Sequence, residues 1–425
     1  MGRGRAEEGL HPPFCVGLRP TPESLRSFDP DKWPIRRFLV DISAENKMVR
    51  EMARDFARNE LAPKAAEMDE KGRMDPDILS KMAQLGFWGI PWPEEYGGTG
   101  MDVLSYIIAV EELSRVCGST GITLAAHTSL GCYPIYAFGT EEQKIRYLPR
   151  LCSGEYLGAM GLTEPEAGSD AGGTKTTAVR DSDGWILNGT KTFITNSEFA
   201  GTFVVATSTD PPAKTRGITA FIVEKDTPGF RVGKHENKMG LRGSSTTELI
   251  FEDCRLSDAQ RLGEVNQGFR VFMKTLDGGR ISIGALALGV GQGAFDEALK
   301  YSQQRVQFDQ PIINFQAIQW MLADSATKLE AARHLVYNAA RRYARGEDHH
   351  REAAMAKLFA AITCREVCND AVQIHGGYGY IKEFPVERMY RDAKLMEIGE
   401  GTNEIHRIVI ARDLVKRGFP RHDFE

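Results

Sequence analysis

The sequence predicts an α+β chain of several domains: an all-α unit, a middle β unit and a C-terminal helical unit. Three observations predict this order. Apolar residues recur at helical spacing from about residue 41 to 155, and short β-rich runs separated by turn clusters follow Gly158. Helical spacing then returns at Gly268 and continues nearly to the end of the chain.

The first unit, residues 36–157, is expected to consist of helices. Val49, Met52 and Phe56 fall on one helical face. Thr140 and Gln143 have the spacing of a capping box, in which each side chain satisfies a free amide at a helix start. Residues 1–35 lack this periodicity and are predicted to be a flexible extension, whose acidic residues argue against a mitochondrial presequence.

The middle unit, residues 158–276, is expected to be a small antiparallel barrel or sandwich. Its β-rich runs are spaced by roughly 15 to 25 residues with turn clusters and no helix between them. The four runs are 185–187, 203–206, 220–223 and 249–251.

The last unit, residues 277–425, carries four predicted helical segments, at about 281–304, 315–346, 352–374 and 402–416. The first contains Gly289-Val-Gly-Gln-Gly-Ala294, which matches the glycine pattern of dinucleotide-binding proteins. Such a site needs a strand before the glycines, whereas here the helical pattern is continuous on both sides. We therefore expect these small residues to allow close helix packing.

Composition excludes several classes of protein. The chain has 425 residues and a net charge of −5, so it has no overall basic field that would favour nucleic acid or anionic lipid. No apolar stretch approaches the ~18 residues of a membrane span. Seven scattered cysteines without a Cys-x-x-Cys pair are typical of thiols in a reducing compartment. The histidines lack metal-ligand spacing, and no metal site is expected.

Three short segments are candidates for chemistry, although each has a commoner interpretation. The loop 161–170 is rich in glycine and hydroxyl residues, as binding loops and plain linkers both are. Phe193 and Thr195 share one face of an extended stretch, which could simply be a surface strand. Glu400 lies between two glycines just before a helix that Thr402 can cap, where a solvated turn is also common.

Six motifs in register connect these segments. They are Leu162-Thr-Glu-Pro with Gly168-Ser-Asp, Asn188-Gly-Thr-Lys with Ile194-Thr-Asn, Lys238-Met-Gly-Leu-Arg-Gly-Ser, Arg305 to Phe308, Gln373-Ile-His-Gly-Gly-Tyr-Gly, and Tyr390-Arg-Asp-Ala-Lys through Glu400-Gly-Thr. Together these motifs resemble the acyl-CoA dehydrogenase family over residues 40–418. The resemblance implies an α-helical domain, a β domain and a C-terminal four-helix bundle.

The resemblance implies that Glu400 is the base that removes the α-proton of an acyl-CoA thioester, with its amide on the thioester oxygen. Some relatives take the base from the residue before the helix arginine, but here that residue is Gly279, which cannot serve. Desolvation would raise the low pKa of an ordinary carboxylate and make it a better base. Ser169, Asp277, Arg280 and Gly401 are the implied acyl-CoA contacts.

The implied cofactor is FAD, which the resemblance places against residues 160–169, including Met160, Leu162, Thr163 and Ser169, and against Phe193 and Thr195. A neighbouring subunit would contribute Arg305, Phe308, Gln316, Gln373, Gly376 and Gly377, while Thr402 and Glu404 complete the flavin side. This shared site implies a homo-oligomer, typically a tetramer. Three positions depart from the family pattern: Phe193 replaces a common Trp, Gly399 a frequent Tyr, and Asp309 a usual Gly.

The resemblance implies an α,β-dehydrogenase of a short or short-branched acyl-CoA that passes electrons to an electron-transfer flavoprotein. Two different functions remain open: an acyl-CoA oxidase that uses dioxygen, and a catalytically silent flavoprotein that serves as an assembly partner. No nucleic-acid partner and no stable membrane insertion are expected. The expected location is the cytoplasm of a bacterium, or the mitochondrial matrix in a eukaryote.

Overall fold

The structure is a computed structural model that describes residues 42–418. The predicted extension, residues 1–35, lies outside these residues. In chain order, the described residues form a group of helices, a β-sheet and a second group of helices. The predicted fold class is thereby confirmed.

The first group contains seven α-helices. They are α1 (Ala44–Phe56), α2 (Ala65–Lys71), α3 (Pro76–Gln84), α4 (Val103–Ser114), α5 (Gly118–Ala126), α6 (Tyr133–Phe138) and α7 (Glu141–Cys152). The predicted capping box begins α7: Thr140 Oγ1 accepts from the amide of Gln143 at 3.3 Å, and the Gln143 side chain accepts from the amide of Thr140 at 3.0 Å. Both donors would otherwise be unsatisfied at a helix start.

The sheet has eight strands: β1 (Leu157–Gly161), β2 (Thr177–Asp181), β3 (Gly184–Thr195), β4 (Ala200–Ser208), β5 (Ile218–Glu224), β6 (Phe230–His235), β7 (Thr246–Leu256) and β8 (Arg261–Leu262). Their order is β6-β7-β3-β2-β4-β5-β8, and β1 pairs with β4. All four predicted runs lie in strands. The pairings of β1 and of β2 with β4 are parallel rather than antiparallel, since the chain reverses at the β2–β3 hairpin and reverses again between β3 and β4.

Both faces of the sheet are covered by apolar side chains. On one face Phe203, Phe221 and Phe251 form an aromatic core with Phe230. On the other, Val204 and other apolar residues of β4 and β5 pack with side chains of α7 and the following long helix. Such two-sided burial holds the strand ends that contribute to the cleft described below.

The second group contains α8 (Gly268–Gln304), α9 (Gln316–Ala344), α10 (His350–His375), α11 (Val386–Met396) and α12 (Asn403–Arg417), with short strands β9 (Val306–Gln307) and β10 (Gln310–Pro311) between α8 and α9. Helix α8 begins well before the predicted residue 281. The helix continues through Gly278 and Gly279 although glycine is a poor helix former, and of the two only Gly279 lies too close to a neighbouring group to admit a Cβ.

The glycine pattern 289–294 lies entirely within α8, so its interpretation as helix packing is confirmed. A Cβ at Gly289 would lie 2.3 Å from the carbonyl oxygen of Glu111 on α4. A Cβ at Gly293 would lie 2.0 Å from the carbonyl oxygen of Arg115. The glycines are therefore required by the close approach of the backbone around α4.

Six cysteines lie within residues 42–418, and all six are buried free thiols. None of the helices in this part of the chain combines the length and the apolar character needed to cross a bilayer. Across the same residues, no three His, Cys, Asp or Glu side chains come together in a group that could hold a metal ion.

Candidate active site

The segment between α11 and α12 forms a turn that presents Glu400. Its backbone is left-handed, with φ of +51° at Glu400 and +99° at Gly401. Thr402 then begins α12 as the predicted N-cap, since its Oγ1 accepts from the amide of Ile405 at 3.3 Å. A non-glycine residue at positive φ is strained, and such strain is concentrated at functional sites.

The Glu400 side chain lies against α8 at Gly279. A Cβ at position 279 would come within 2.0 Å of Glu400 Oε2, far inside van der Waals contact. Glycine at this position therefore makes the space that the carboxyl group occupies. This contact also explains why α8 carries a glycine in its buried interior.

Burial raises the pKa of Glu400 to about 7, against the opposing effect of the positive charges of Lys357 and Arg280. Its Oε2 atom is buried and has no hydrogen-bond partner among residues 42–418. Desolvation disfavours the charged form of a carboxyl group, which is the direction that makes it a stronger base. Glu400 thus has a perturbed carboxyl group with a free oxygen, as a general base requires.

Glu400 lies in a cleft of ≈1310 Å³ between the sheet, α8 and the α11–α12 turn. This volume is above the usual range for small-molecule sites, so it can accept a large cofactor together with a substrate. The cleft brings together ten of the predicted site residues: Met160, Leu162, Thr163, Ser169, Phe193, Thr195, Arg280, Glu400, Gly401 and Thr402.

The loop after β1 is held at the cleft by a buried ion pair. Lys191 Nζ lies 2.6 Å from Glu164 Oε1 and donates to the carbonyl of Leu162 at 3.2 Å. The Glu164 carboxylate also accepts from the amides of Lys175 and Thr176. The amide of Thr192 donates to the carbonyl of Thr163 at 2.9 Å, so Leu162 and Thr163 are tied to β3.

The cleft fits the flat cofactor that the resemblance implies. Phe193 is 64% exposed although it is apolar, and it adopts a positive φ of +58° where the pairing of β3 with β7 is irregular. Thr195 lies two residues further along and lines the same cleft. An aromatic ring presented to a large cleft, with a hydroxyl group beside it, suits an isoalloxazine ring.

A second, smaller pocket of ≈450 Å³ contains three other predicted cofactor residues, Arg305, Gly376 and Gly377. The Arg305 guanidinium lies 5.4 Å from the ring centre of Tyr378. No carboxylate within residues 42–418 forms an ion pair with it. The residues that line this pocket are all different from the residues that line the Glu400 cleft.

Five predicted residues line neither pocket. Phe308 is 87% exposed, and Gln316, Gln373 and Glu404 are also exposed. The fifth, Asp277, is buried beneath the cleft and accepts from Arg280 Nη1 at 2.8 Å. Sequence reasoning assigned these residues by resemblance, and their roles stay predictions.

Two residues at the site were missed from the sequence. His350 begins α10, lines the cleft and has its Nδ1 atom 2.6 Å from Asp277 Oδ1. Lys357 is fully buried on α10 and donates to the carbonyl of Gly401 at 2.8 Å. The available signal for Lys357 was a single lysine within the alanine-rich segment Glu352-Ala-Ala-Met-Ala-Lys-Leu-Phe-Ala-Ala.

Comparison with protein families agrees with this architecture. The N-terminal, middle and C-terminal domain models of acyl-CoA dehydrogenases match residues 43–155, 159–254 and 266–415, respectively. Glu400 and Gly279 both lie within the last of these matches.

The relatives that match nearly over their whole length include the following three. A probable acyl-CoA dehydrogenase, YngJ, of Bacillus subtilis is 52% identical over 377 residues, covering 88% of this chain and 99% of the relative. The acryloyl-CoA reductase (NADH) of Anaerotignum propionicum is 49% identical over 385 residues, covering 90% and 98%. Subunit CarC of the caffeyl-CoA reductase-Etf complex of Acetobacterium woodii is 49% identical over 376 residues, covering 88% and 99%.

Solved structures that share the fold include the following two. Butyryl-CoA dehydrogenase of Megasphaera elsdenii has a TM-score of 0.87 and 45% identity, covering 89% of this chain and all of that chain (100%). An acyl-CoA dehydrogenase of Bacillus anthracis complexed with FAD has a TM-score of 0.82 and 37% identity, covering 89% and 70%. Three matching domain models, these relatives and the shared fold confirm the resemblance: the chain belongs to the acyl-CoA dehydrogenase family, whose cofactor is FAD.

Proposed function

We propose that the protein oxidises a short or short-branched acyl-CoA to its trans-2-enoyl-CoA with FAD, and passes the electrons to an electron-transfer flavoprotein. One observation carries this proposal: the buried, unpartnered Oε2 of Glu400 faces Gly279 at a cleft large enough for cofactor and substrate. A carboxylate in that position can take a proton from a substrate carbon.

Glu400 supplies two groups to this reaction. Its carboxylate takes the α-proton, and burial makes this carboxylate more basic than in water. Its backbone N–H makes no hydrogen bond with any of residues 42–418, and can donate to the thioester oxygen. A hydrogen bond there stabilises the negative charge that develops as the α-proton leaves.

The remaining cleft residues position the reactants. FAD, when bound, would supply the acceptor for the hydride of the β-carbon, and Phe193 and Thr195 would hold it at the cleft. Leu162 and Thr163, which are fixed by hydrogen bonds to β3, line the same face. Holding donor and acceptor in one geometry removes much of the entropic barrier to the transfer.

The choice of a short acyl chain rests on the relatives, while Gly399 leaves more room near the base. Gly399 places no side chain beside Glu400, where the family often has a tyrosine, so the sequence departs from the common pattern at the acyl end. The solved butyryl-CoA dehydrogenase, at 45% identity, is named for a four-carbon acyl group.

A second candidate function is reduction of an enoyl-CoA, the reverse direction. Two relatives at 49% identity are named as acryloyl-CoA and caffeyl-CoA reductases. The same residues would serve, because a protonated Glu400 can return a proton to the α-carbon. The two other functions are an oxidase that uses dioxygen and a catalytically silent assembly partner. The bleaching experiment described at the end of this section distinguishes both of them from acyl-CoA oxidation and from enoyl-CoA reduction.

We also propose a homo-oligomer, expected to be a tetramer, in which the second pocket meets the cofactor of a neighbouring subunit. Arg305 is free of any ion pair within the described residues, and Gly376 and Gly377 leave open space beside it. A guanidinium group is well suited to bind a pyrophosphate through two parallel hydrogen bonds. The subunit that contributes Arg305 to its neighbour's cofactor would also contribute Phe308, Gln316 and Gln373.

An anaerobic bleaching screen tests the function. The purified, FAD-loaded protein is mixed with acyl-CoAs of increasing length and branching, and loss of flavin absorbance is recorded. We expect fastest bleaching with butyryl- or isobutyryl-CoA and reoxidation by an electron-transfer flavoprotein. Stoichiometric formation of peroxide in air would instead identify an oxidase. Faster turnover of an enoyl-CoA than of an acyl-CoA would identify a reductase. The absence of bleaching across the whole panel would identify a catalytically silent protein.

A further inference from the structure

We propose that Lys357 is the positioning residue for Glu400: its buried ammonium group holds the Glu400 turn through the Gly401 carbonyl and keeps a positive charge beside the base. This inference rests on the proposed function, since it assigns Glu400 as the base. It adds a residue on another helix that neither touches the substrate nor transfers a proton.

Lys357 is buried among small apolar residues. The residue is 0% exposed on α10, where Ala353, Ala354, Ala356 and Ala360 are also buried. No carboxylate among residues 42–418 lies within ion-pair distance of its Nζ. A buried lysine without an ion pair is costly, because the ammonium group loses its hydration. Such a residue needs a role that compensates for the cost.

Lys357 forms a hydrogen bond with the backbone of the Glu400 turn. Its Nζ donates to the carbonyl oxygen of Gly401 at 2.8 Å, directly after the left-handed residue Glu400. Near the turn, the amide of Asn403 donates to the carbonyl of Glu397 at 3.0 Å, and Arg365 Nε of α10 donates to the Glu397 carboxylate at 2.9 Å. The contact from Lys357 thus ties the strained turn to the helix bundle.

Several charged groups face Glu400 and Lys357. Glu400 is faced by Lys357 from α10, Arg280 from α8 and the phenol of Tyr106 from α4. Lys357 is faced by Arg280 and by three carboxylates, Glu400, Glu397 and Glu404. On α12, the neutral ring of His406 packs near Gly401. Arg280 already pairs with Asp277, which leaves Lys357 as a cation whose field is not offset by an ion pair of its own.

Burial lowers the pKa of Lys357 to about 8, so it stays charged at neutral pH while Glu400 loses its proton. The two effects support each other, because an opposite charge favours the ionised form of a buried group. Removing the cation should therefore make Glu400 harder to ionise and the turn less well fixed.

The test compares Lys357→Met, Lys357→Gln and Lys357→Arg in the FAD-loaded protein. Methionine removes the charge and the donor, glutamine removes only the charge, and arginine keeps both. For Lys357→Met we expect kcat at pH 7 to fall about tenfold or more and the pH midpoint of kcat/KM to rise by about one unit. Part of the loss should be restored at higher pH. Lys357→Arg should keep the wild-type midpoint.

A second readout does not depend on turnover. The protonated Glu400 carboxyl gives an infrared band that is missing in Glu400→Gln, and its pH titration reports the base directly. An upward shift of this titration in Lys357→Met supports the inference, even if no acyl-CoA proves to be a substrate. An unchanged titration in Lys357→Met and Lys357→Gln, with only a lower melting temperature, would overturn it. If methionine prevents folding, the glutamine variant decides.

Discussion

Replacing Gly279 with alanine should disable the proposed base while leaving the fold intact. The added methyl group would be placed 2.0 Å from Glu400 Oε2, whereas ordinary contacts lie at about 3.5 Å or more. The carboxyl group must therefore move by about 1.5 Å. Because it ends a flexible side chain, it can do so without moving the backbone of α8.

The displacement sets the size of the effect. Moving a catalytic group by about 1 Å costs on the order of 100-fold in rate. We therefore expect kcat/KM of Gly279→Ala to fall by about 100-fold. Stability should change little, since alanine favours a helix over glycine by about 1 kcal/mol, which offsets part of the crowding against Leu130.

The neighbouring Gly278 gives a matched control on the same helix. A Cβ there would lie 3.8 Å from the ring of Tyr343, in ordinary contact. Stopped-flow bleaching of bound flavin by butyryl-CoA measures both variants, while thermal unfolding and bound FAD confirm that each is folded. Gly278→Ala should bleach at nearly the wild-type rate.

Equal bleaching rates for the two glycine variants would refute this reasoning. They would mean either that the space at Gly279 is not needed by Glu400 or that the position of Glu400 does not limit the reaction. Loss of FAD from Gly279→Ala alone would likewise contradict the expected local effect.

Four further predictions concern Glu400 and other parts of the site. The kcat/KM should rise with pH through about 7 as Glu400 ionises. The pKa of Glu400 in the folded protein lies above its usual value of 4.5, so ionisation of this group disfavours the folded state. As the pH rises from 4.5 through 7, the free energy of unfolding of the wild type should therefore fall by about 3 kcal/mol relative to that of Glu400→Gln, measured by urea unfolding. Lys191→Met should leave Glu164 buried and unpaired, destabilise the protein by about 3–5 kcal/mol and release FAD, whereas Arg73→Met, which removes an exposed ion pair, should have little effect. Phe193→Ala should weaken FAD retention in dialysis, and Phe193→Trp should keep it.

Local features of the site could be predicted from sequence because they depend on neighbouring residues. Thr402 was expected to cap a helix, and it does, since capping needs only an amide three residues away. The glycine pattern at 289–294 was assigned to a helix because its flanks carry helical periodicity.

Features that depend on distant contacts could not be predicted in the same way. The partner of Lys357 is a backbone carbonyl 44 residues further along the chain. The contact of His350 with Asp277 spans 73 residues, and a histidine in a charged turn suggested only a structural role. The early start of α8 was hidden because two adjacent glycines are poor helix formers, and only the folded neighbours reveal that Gly279 makes space for Glu400.

The roles of Arg305, Gly376 and Gly377 are a third case. Their place in a pocket apart from Glu400 shows that one subunit does not bring all the predicted cofactor residues together. Resemblance suggested that they act on a neighbouring subunit, and the solution mass of the FAD-loaded protein will test the expected tetramer.

The central claim is that Glu400 removes the α-proton, and exchange of that proton with solvent tests it most directly. The FAD-loaded protein is incubated anaerobically in D₂O with a 3-thia acyl-CoA, which has no β-hydrogen to transfer, and deuterium at the α-carbon is followed by NMR. We predict exchange with wild type that accelerates through about pH 7, and none above background with Glu400→Gln that retains FAD and binds the ligand. Undiminished exchange in Glu400→Gln would show that another group is the base.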